Sequence, residues 1–285
     1  MHIPVLQKEV VQYLDPKPNE NFIDATFGGG GHSLEILQKI APRGKVLGID
    51  WTQEAIGGAK KNPNQILVCD NFANLAEIVK EQKFAKIKGV LIDLGYSSWH
   101  LEESGRGFSF QKKEPLDMRY NAQNQLTAEK IVNFWSKFEI ERILQEYGEE
   151  KFAKNIAEQI IKERKLKPVQ TTNHLVEAIR KAVPRGYFNQ RIHFATKTFQ
   201  ALRIAVNDEL NNIGKVLPQA LQILEPGGRL VVISFHSLED RIVKNFFKNN
   251  LNINLLTKKP VVPTRQEIII NPRSRSAKLR AATKI

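Results

Sequence analysis

Phe22-Ile23-Asp24-Ala25-Thr26-Phe27-Gly28-Gly29-Gly30-Gly31-His32-Ser33 decides the fold. Phe22–Thr26 reads as a strand, the glycines as a turn, and His32–Ile40 as a helix with Leu34, Ile36 and Leu37 apolar. Four glycines let backbone approach a ligand closely, and a helix N-terminus offers N–H groups without internal partners. As a dinucleotide fingerprint the loop is incomplete. Gly28-x-Gly30 fits, but Ser33 stands where a third glycine belongs.

The same alternation continues outward. Lys45–Asp50 reads as a strand and Gln53–Lys60 as a helix; Gln65–Cys69 and Phe72–Glu81 repeat the pair, and Ile87–Asp93 is a fourth strand. Strands alternating with helices over short loops imply a parallel sheet covered on both faces. Ligands of such sheets bind beyond the carboxyl ends of the strands. Asp50, 19 residues after Gly31, suits a ribose hydroxyl, or the N-cap of the next helix. Phe72 suits an adenine face, or the core. Asp93 ends the fourth strand beside the cofactor cleft, where it either takes part in transfer chemistry or orders its loop. Cys69, between apolar residues, reads as a small buried hydrophobe.

Past Asp93 the alternation stops, and 94–126 shows no regular element. A helical period follows, clearest over Glu149–Arg164, where Phe152, Ile156 and Ile160 make one apolar face. The α/β pattern then resumes. Ala201–Leu224 reads as a helix, Glu225-Pro226-Gly227-Gly228 as a turn, Arg229–Phe235 as a strand and Ser237–Asn249 as a helix. Ser237-x-x-Asp240 reads as a capping box. Leu251–Thr257 and Gln266–Ile270 read as a closing pair of strands. The sheet domain is expected at 1–103 and 199–285, interrupted by a helical domain at 104–198.

The chain has 285 residues and a net charge of +13. Residues 1–100 are neutral, with 11 basic and 11 acidic side chains. Residues 151–203 carry 12 basic against 3 acidic, and 241–285 carry 11 against 1. This segregation points to a small-molecule site in the front half and a polyanion surface elsewhere. No apolar run approaches the ~20 residues of a membrane span, and the N-terminus lacks a signal-peptide pattern. One cysteine excludes an internal disulfide. A cytoplasmic protein is expected, with no membrane partner and no metal, since no metal-ligand cluster is visible. The oligomeric state, homodimer included, stays open.

Longer stretches carry a resemblance. Leu224-Glu225-Pro226-Gly227-Gly228-Arg229-Leu230 is similar to a turn of class I methyltransferases, which favours S-adenosylmethionine over NAD. His2–Leu6, Asp24–Ser33, Asp93–Ser98, Arg106–Phe110 with Pro115–Arg119, Tyr147–Glu150, Thr198–Ile204 with Val206-Asn207, Ile233–Arg241 and Asn271–Ser276 follow in order. Together they resemble the bacterial 16S ribosomal RNA cytosine-N4 methyltransferases, over residues 2 to about 280. The resemblance implies an α/β, Rossmann-like class I methyltransferase domain with an inserted all-helical substrate-binding domain. It also implies methyl transfer from S-adenosyl-L-methionine to N4 of a decoding-region cytidine (C1402) in 16S rRNA of the small ribosomal subunit. By position, Gly30, Gly31, His32, Asp50, Phe72 and Asp93 should contact the cofactor. The next contact of the family is usually Gln and here is His100. Tyr96, Phe194 and Lys197 also depart from the usual pattern, and the stretch from Asn250 to Asn271 is short.

The cytosine amine is a poor nucleophile, so alignment with the donor is the main task. Asp93 is a candidate acceptor for an amine hydrogen. Asp93-x-x-Tyr96 is similar in spacing to the Asp-Pro-Pro-Tyr motif of amino-methyltransferases, with both prolines absent, and Tyr96 could stack on a flipped base. His236 stands at a strand end as a substrate contact or a structural histidine. Arg185, Arg191 and Lys197 in the insertion, and Arg273, Arg275 and Arg280 in the tail, are candidate RNA phosphate contacts. Tyr187 and Phe188 suit base stacking or the core of the insertion. A DNA amino-methyltransferase and a non-catalytic RNA-binding factor are the rival readings.

Overall fold

The computed structural model describes residues 3–95 and 98–285, with Ser98 described by its backbone alone. The chain divides into two compact units, Met1–Gly95 with Leu210–Ile285, and Tyr96–Glu209. Both divisions fall outside the boundaries expected at 103/104 and 198/199. The flanking segments explain the difference: Leu101, Phe199, Leu202 and Val206 pack into the apolar cluster of the second unit.

The first unit is built on β1 (Asn21–Asp24), β2 (Val46–Asp50), β3 (Gln65–Cys69), β4 (Ile87–Asp93), β5 (Leu224–Ser234), β6 (Ile253–Leu255) and β7 (Lys278–Lys284). They form one sheet in the order β3-β2-β1-β4-β5-β7-β6. The first five are parallel, while β7 runs antiparallel between β5 and β6. Successive residues point to opposite faces of a strand. Ile23, Leu47, Ile49, Val90, Ile92, Leu230 and Val232 accordingly enter one apolar cluster. Their neighbours Phe22, Val46, Leu91, Val231 and Ile233 enter another. Burial on both faces is what a parallel sheet requires. The chain runs outward through β1, β2 and β3, then returns to place β4 on the other side of β1. Loops diverge at such a reversal and leave a crevice at the strand ends.

Four expectations are corrected. Residues 265–270 form a helix (Arg265–Ile270), with Thr264 as N-cap accepting the Glu267 N–H at 3.2 Å; the partner of β6 is β7. The helix expected over Ala201–Leu224 is two, Thr196–Asn207 and Glu209–Ile223, broken at Asp208 with φ 52°. Residues Ser98–Glu102 form a short helix where no element was expected. Cys69 is exposed, because it closes β3 at the edge of the sheet.

The second unit packs helices Ala128–Phe134, Lys137–Glu146, Ala153–Leu166, Thr172–Ala182 and Thr196–Asn207 around Ile131, Leu144, Ile156, Ile160, Ile179 and Leu202. The irregular loop before them is held by polar bonds, since backbone groups leaving water need partners. Asn207 Nδ2 donates to the Met118 carbonyl at 2.7 Å, and its Oδ1 accepts the Tyr120 N–H at 2.8 Å. Arg119 forks onto Asp117 at 2.7 and 2.8 Å. Among the described residues no helix is long and apolar enough to cross a membrane.

Candidate functional site

The parallel strands bring Asp24, Asp50 and Asp93 to one edge of the sheet. Asp24 is 1% exposed and works inward. Its Oδ2 accepts the Ser33 hydroxyl at 2.7 Å and its Oδ1 the Thr26 N–H at 3.3 Å. The Thr26 hydroxyl accepts the Asp93 N–H at 2.6 Å, which ties the ends of β1 and β4 together. Burial raises the Asp24 pKa against the opposing pull of His32 and Ser33. Sequence reasoning passed over Asp24; its signal was an Asp two residues before Thr26 at a strand end, the spacing of an Asx-turn.

The glycine loop follows. Gly30 has φ 73°, and a Cβ there would lie 2.6 Å from the Phe27 ring. A Cβ on Gly31 would overlap the Pro4 ring. Gly30 is also the N-cap of helix Gly31–Ile40 and supplies no side chain. The first-turn N–H groups are therefore not capped by a side chain and suit an anionic or polar ligand. Asp50 closes the loop from β2, its Oδ2 accepting the Gly28 N–H and its Oδ1 the Thr52 N–H, each at 2.7 Å. Burial raises its pKa, and those two N–H groups oppose the rise. A carboxylate oxygen accepts more than one hydrogen bond. Asp50 thus holds the loop and keeps capacity for a hydroxyl.

His32 and Asp93 are the unbalanced pair. His32 is buried, and its Nε2 lies 3.6 Å from Asp93 Oδ2, beyond hydrogen-bond length. Both ring nitrogens and Asp93 Oδ1 are buried without a hydrogen-bond partner. Burial alone would lower the His32 pKa; the Asp93 carboxylate, with Asp24 and Glu35, outweighs it and raises the value. Buried polar atoms without partners are rare, and each calls for an explanation. Here they cluster beside an uncapped helix at the topological reversal. Phe72 lies half-buried in the turn Phe72–Asn74 after β3, partly packed on the core.

His236 caps helix Ser237–Asn249. Its Nδ1 accepts the Glu239 N–H at 3.5 Å, and Glu239 Oε2 accepts the Phe235 N–H at 2.7 Å. The capping pair is thus His236 and Glu239, one residue earlier than the expected Ser237 and Asp240. Asp240 instead binds Arg280, with Oδ1 2.6 Å from Nε. Arg280 is 8% exposed within β7, which removes it from the candidate phosphate contacts. Arg273 and Arg275 are exposed on the turn Pro272–Ser276. Tyr96 lies outside the described residues.

The remaining candidates belong to the second unit. The His100 ring meets those of Phe108 and Tyr120 edge-on, each centroid 5.0 Å away. Burial, with the charges of Arg106 and Arg203, pushes its pKa down to about 3, so the ring is neutral. Arg185 and Arg191 are exposed. Lys197 is half-buried and donates to the Glu149 carbonyl at 2.7 Å. Tyr187 is buried, its hydroxyl 2.9 and 3.0 Å from the two Glu150 oxygens, so it belongs to the core and not to a stacking surface. Phe188 is more exposed, its ring 5.1 Å from that of Phe194.

A parallel sheet reversed at β1, a glycine loop on an uncapped helix and an acid at each of three strand ends define an α/β enzyme of the nucleoside-cofactor type. The comparisons with known proteins narrow the class. The chain belongs to the MraW methylase family, whose pattern matches residues 1–285, and it is a methyltransferase. A protein of Heliobacterium modesticaldum named ribosomal RNA small subunit methyltransferase H is 46% identical, over 100% of this chain and 98% of that protein. A protein of the same name from Thermosipho melanesiensis is 48% identical over the same shares. A solved structure described as an rRNA methylase from Streptococcus thermophilus aligns at a TM-score of 0.43 and 13% identity, over 98% of this chain and 93% of that one.

Proposed function

We propose that this methyltransferase moves a methyl group from S-adenosylmethionine directly to N4 of a cytidine in the decoding region of 16S rRNA, C1402 by the family resemblance. The observation that carries the donor site is the set of unpartnered buried atoms on His32 and Asp93 beside the glycine loop. Relatives named for the small ribosomal subunit supply the substrate class.

The donor, when bound, supplies a methyl group activated on a positively charged sulfur. Gly30 and Gly31 let backbone approach it, and the uncapped N–H groups of helix Gly31–Ile40 take its polar end. Asp50 accepts from ribose while keeping its bonds to Gly28 and Thr52. Asp93 presents Oδ1, held in place by the Thr26 hydroxyl on its own N–H. That oxygen suits either an amino hydrogen of the donor or one of the cytosine amine. Tyr96 and His100 keep their proposed roles toward base and cofactor. In-line transfer demands alignment above all, which a rigid strand end provides. Arg185 and Arg191, with Arg273 and Arg275, hold RNA phosphates, and the inserted unit reads the RNA.

The test is mass mapping of 16S rRNA, free or in small subunits, after incubation with the purified protein and labelled donor. One N4-methylated cytidine is expected. Label on another atom, on DNA in competition, or nowhere would overturn the reading.

A further inference from the structure

Between the glycine loop and the basic tail lies a connection the reaction does not obviously need. Residues 3–6 run between them, and both ends of that short segment are pinned. The Leu6 N–H donates to Glu267 Oε1 at 2.7 Å, across 261 residues of sequence. The Asn271 side-chain amide donates to the Ile3 carbonyl at 3.1 Å. Leu6 is fully buried and left-handed, with φ 52°, as the N-cap of helix Gln7–Leu14. A branched residue in that conformation is strained and persists only where its surroundings hold it. Glu267 is the group that holds its N–H.

The next contact reaches the donor loop. The Pro4 ring occupies the space that a side chain on Gly31 would need. Gly31 is the first residue of the uncapped helix, so Pro4 sets where its N–H groups lie. The other end reaches the basic turn. Asn271 N–H donates to the Glu267 carbonyl at 2.6 Å, and the Asn271 carbonyl accepts from Ser274 N–H at 3.0 Å and Ser274 Oγ at 2.8 Å. Ser274 is fully buried between the exposed Arg273 and Arg275.

We propose that Glu267 and Asn271 are positioning residues that hold the donor loop through residues 3–6, so that the arginine-bearing turn and the glycine loop move as one piece. Anchoring of the turn by RNA phosphates then steadies the donor loop, and donor and RNA favour one another. This coupling of two ligands rests on the donor and RNA reading above; the mechanical link does not. Any such coupling is reciprocal.

The experiment compares the full chain with Glu267→Ala, Glu267→Gln and Asn271→Ala. Hydrogen exchange is followed at the amides of residues 29–34, and S-adenosylhomocysteine affinity by calorimetry with and without 16S rRNA fragment. A Gln oxygen accepts the Leu6 N–H as Glu does, so Glu267→Gln restores what Glu267→Ala loses. Glu267→Ala is expected to speed exchange in the loop and weaken ligand binding by up to about tenfold, the scale of one neutral hydrogen bond, which Gln still supplies. Asn271→Ala has the same sign and a smaller size, and in both alanine variants RNA no longer strengthens ligand binding. Unchanged loop exchange in Glu267→Ala and Asn271→Ala would overturn the proposal, as would equal damage from Glu267→Ala and Glu267→Gln. Exchange that responds while the unaltered protein binds no ligand would leave the mechanical link standing and remove the reading of the donor site.

Discussion

The two units of this chain treat their buried polar groups differently. In the second, Arg203 and Glu209 form a two-pronged pair at 2.8 and 3.0 Å, Tyr120 adds its hydroxyl at 3.0 Å, and Tyr187 meets Glu150. Thr198 Oγ1 is the only unpartnered buried side-chain atom in that unit among the described residues. In the first, among the described residues, both nitrogens of His32, one oxygen of Asp93 and Nε2 of His236 are buried without a hydrogen-bond partner. Removing a polar group from water without a partner costs free energy. Apart from Thr198, the second unit meets that cost internally, whereas in the first the proposed donor would relieve it at His32 and Asp93. The contrast separates a scaffold that presents surface charge from a site prepared for chemistry.

Four variants test the contrast. The largest effect belongs to the scaffold. Arg203→Ala leaves a buried Glu209 carboxylate unpaired and is expected to lower stability by about 3–5 kcal/mol in denaturant unfolding. A loss below about 1 kcal/mol would mean the network relaxes or admits water. Next comes Asp93→Ala, which should leave the melting temperature near that of the parent and cut methyl transfer about a hundredfold or more. Full activity would remove Asp93 from the site. Smaller still, Arg185→Ala with Arg191→Ala should not alter stability. It should reduce the slope of log affinity for RNA against log salt by about 0.7–0.9 for each phosphate no longer neutralised. An unchanged slope would leave those arginines without a phosphate.

The smallest effect is a pH dependence. The folded pKa of His32 is raised above its ordinary 6.5, so its protonated form is favoured by folding. The stability it contributes is fully present below pH 6.5 and fades as pH rises through the folded value. The stability difference between the parent and His32→Gln should therefore shrink between neutral and alkaline pH. A difference that grows with pH would contradict the charge placed on that ring.

The strands of the first unit were legible as short β-branched apolar runs, the mark of a sheet buried on both faces, and β3 and β4 begin and end where those runs were expected. The tail was not. Gln266–Ile270 carries three isoleucines, the composition of a strand, yet Thr264 caps a helix there by accepting the Glu267 N–H. Thr264-x-x-Glu267 has the spacing of a helix start, a signal the sequence analysis did not use. Arg280 looked like a phosphate contact because its partner Asp240 lies 40 residues away. Tyr187 stayed open between stacking and core because its partner Glu150 is 37 residues away. The proposed donor-site residues form a local pattern, a strand end followed by a glycine loop. Asp24 bonds locally to Ser33 and Thr26, whereas the bond from Asp93 N–H to the Thr26 hydroxyl was hidden because it depends on β1 and β4 lying side by side.

The most direct measurement is calorimetric titration of S-adenosylhomocysteine into the parent, Asp93→Ala and a scaffold control, Lys197→Ala. The parent is expected to bind at one site, with the heat lost or strongly weakened in Asp93→Ala and unchanged in Lys197→Ala. A parent that gives no heat, or an Asp93→Ala variant that binds as the parent does, would contradict this expectation.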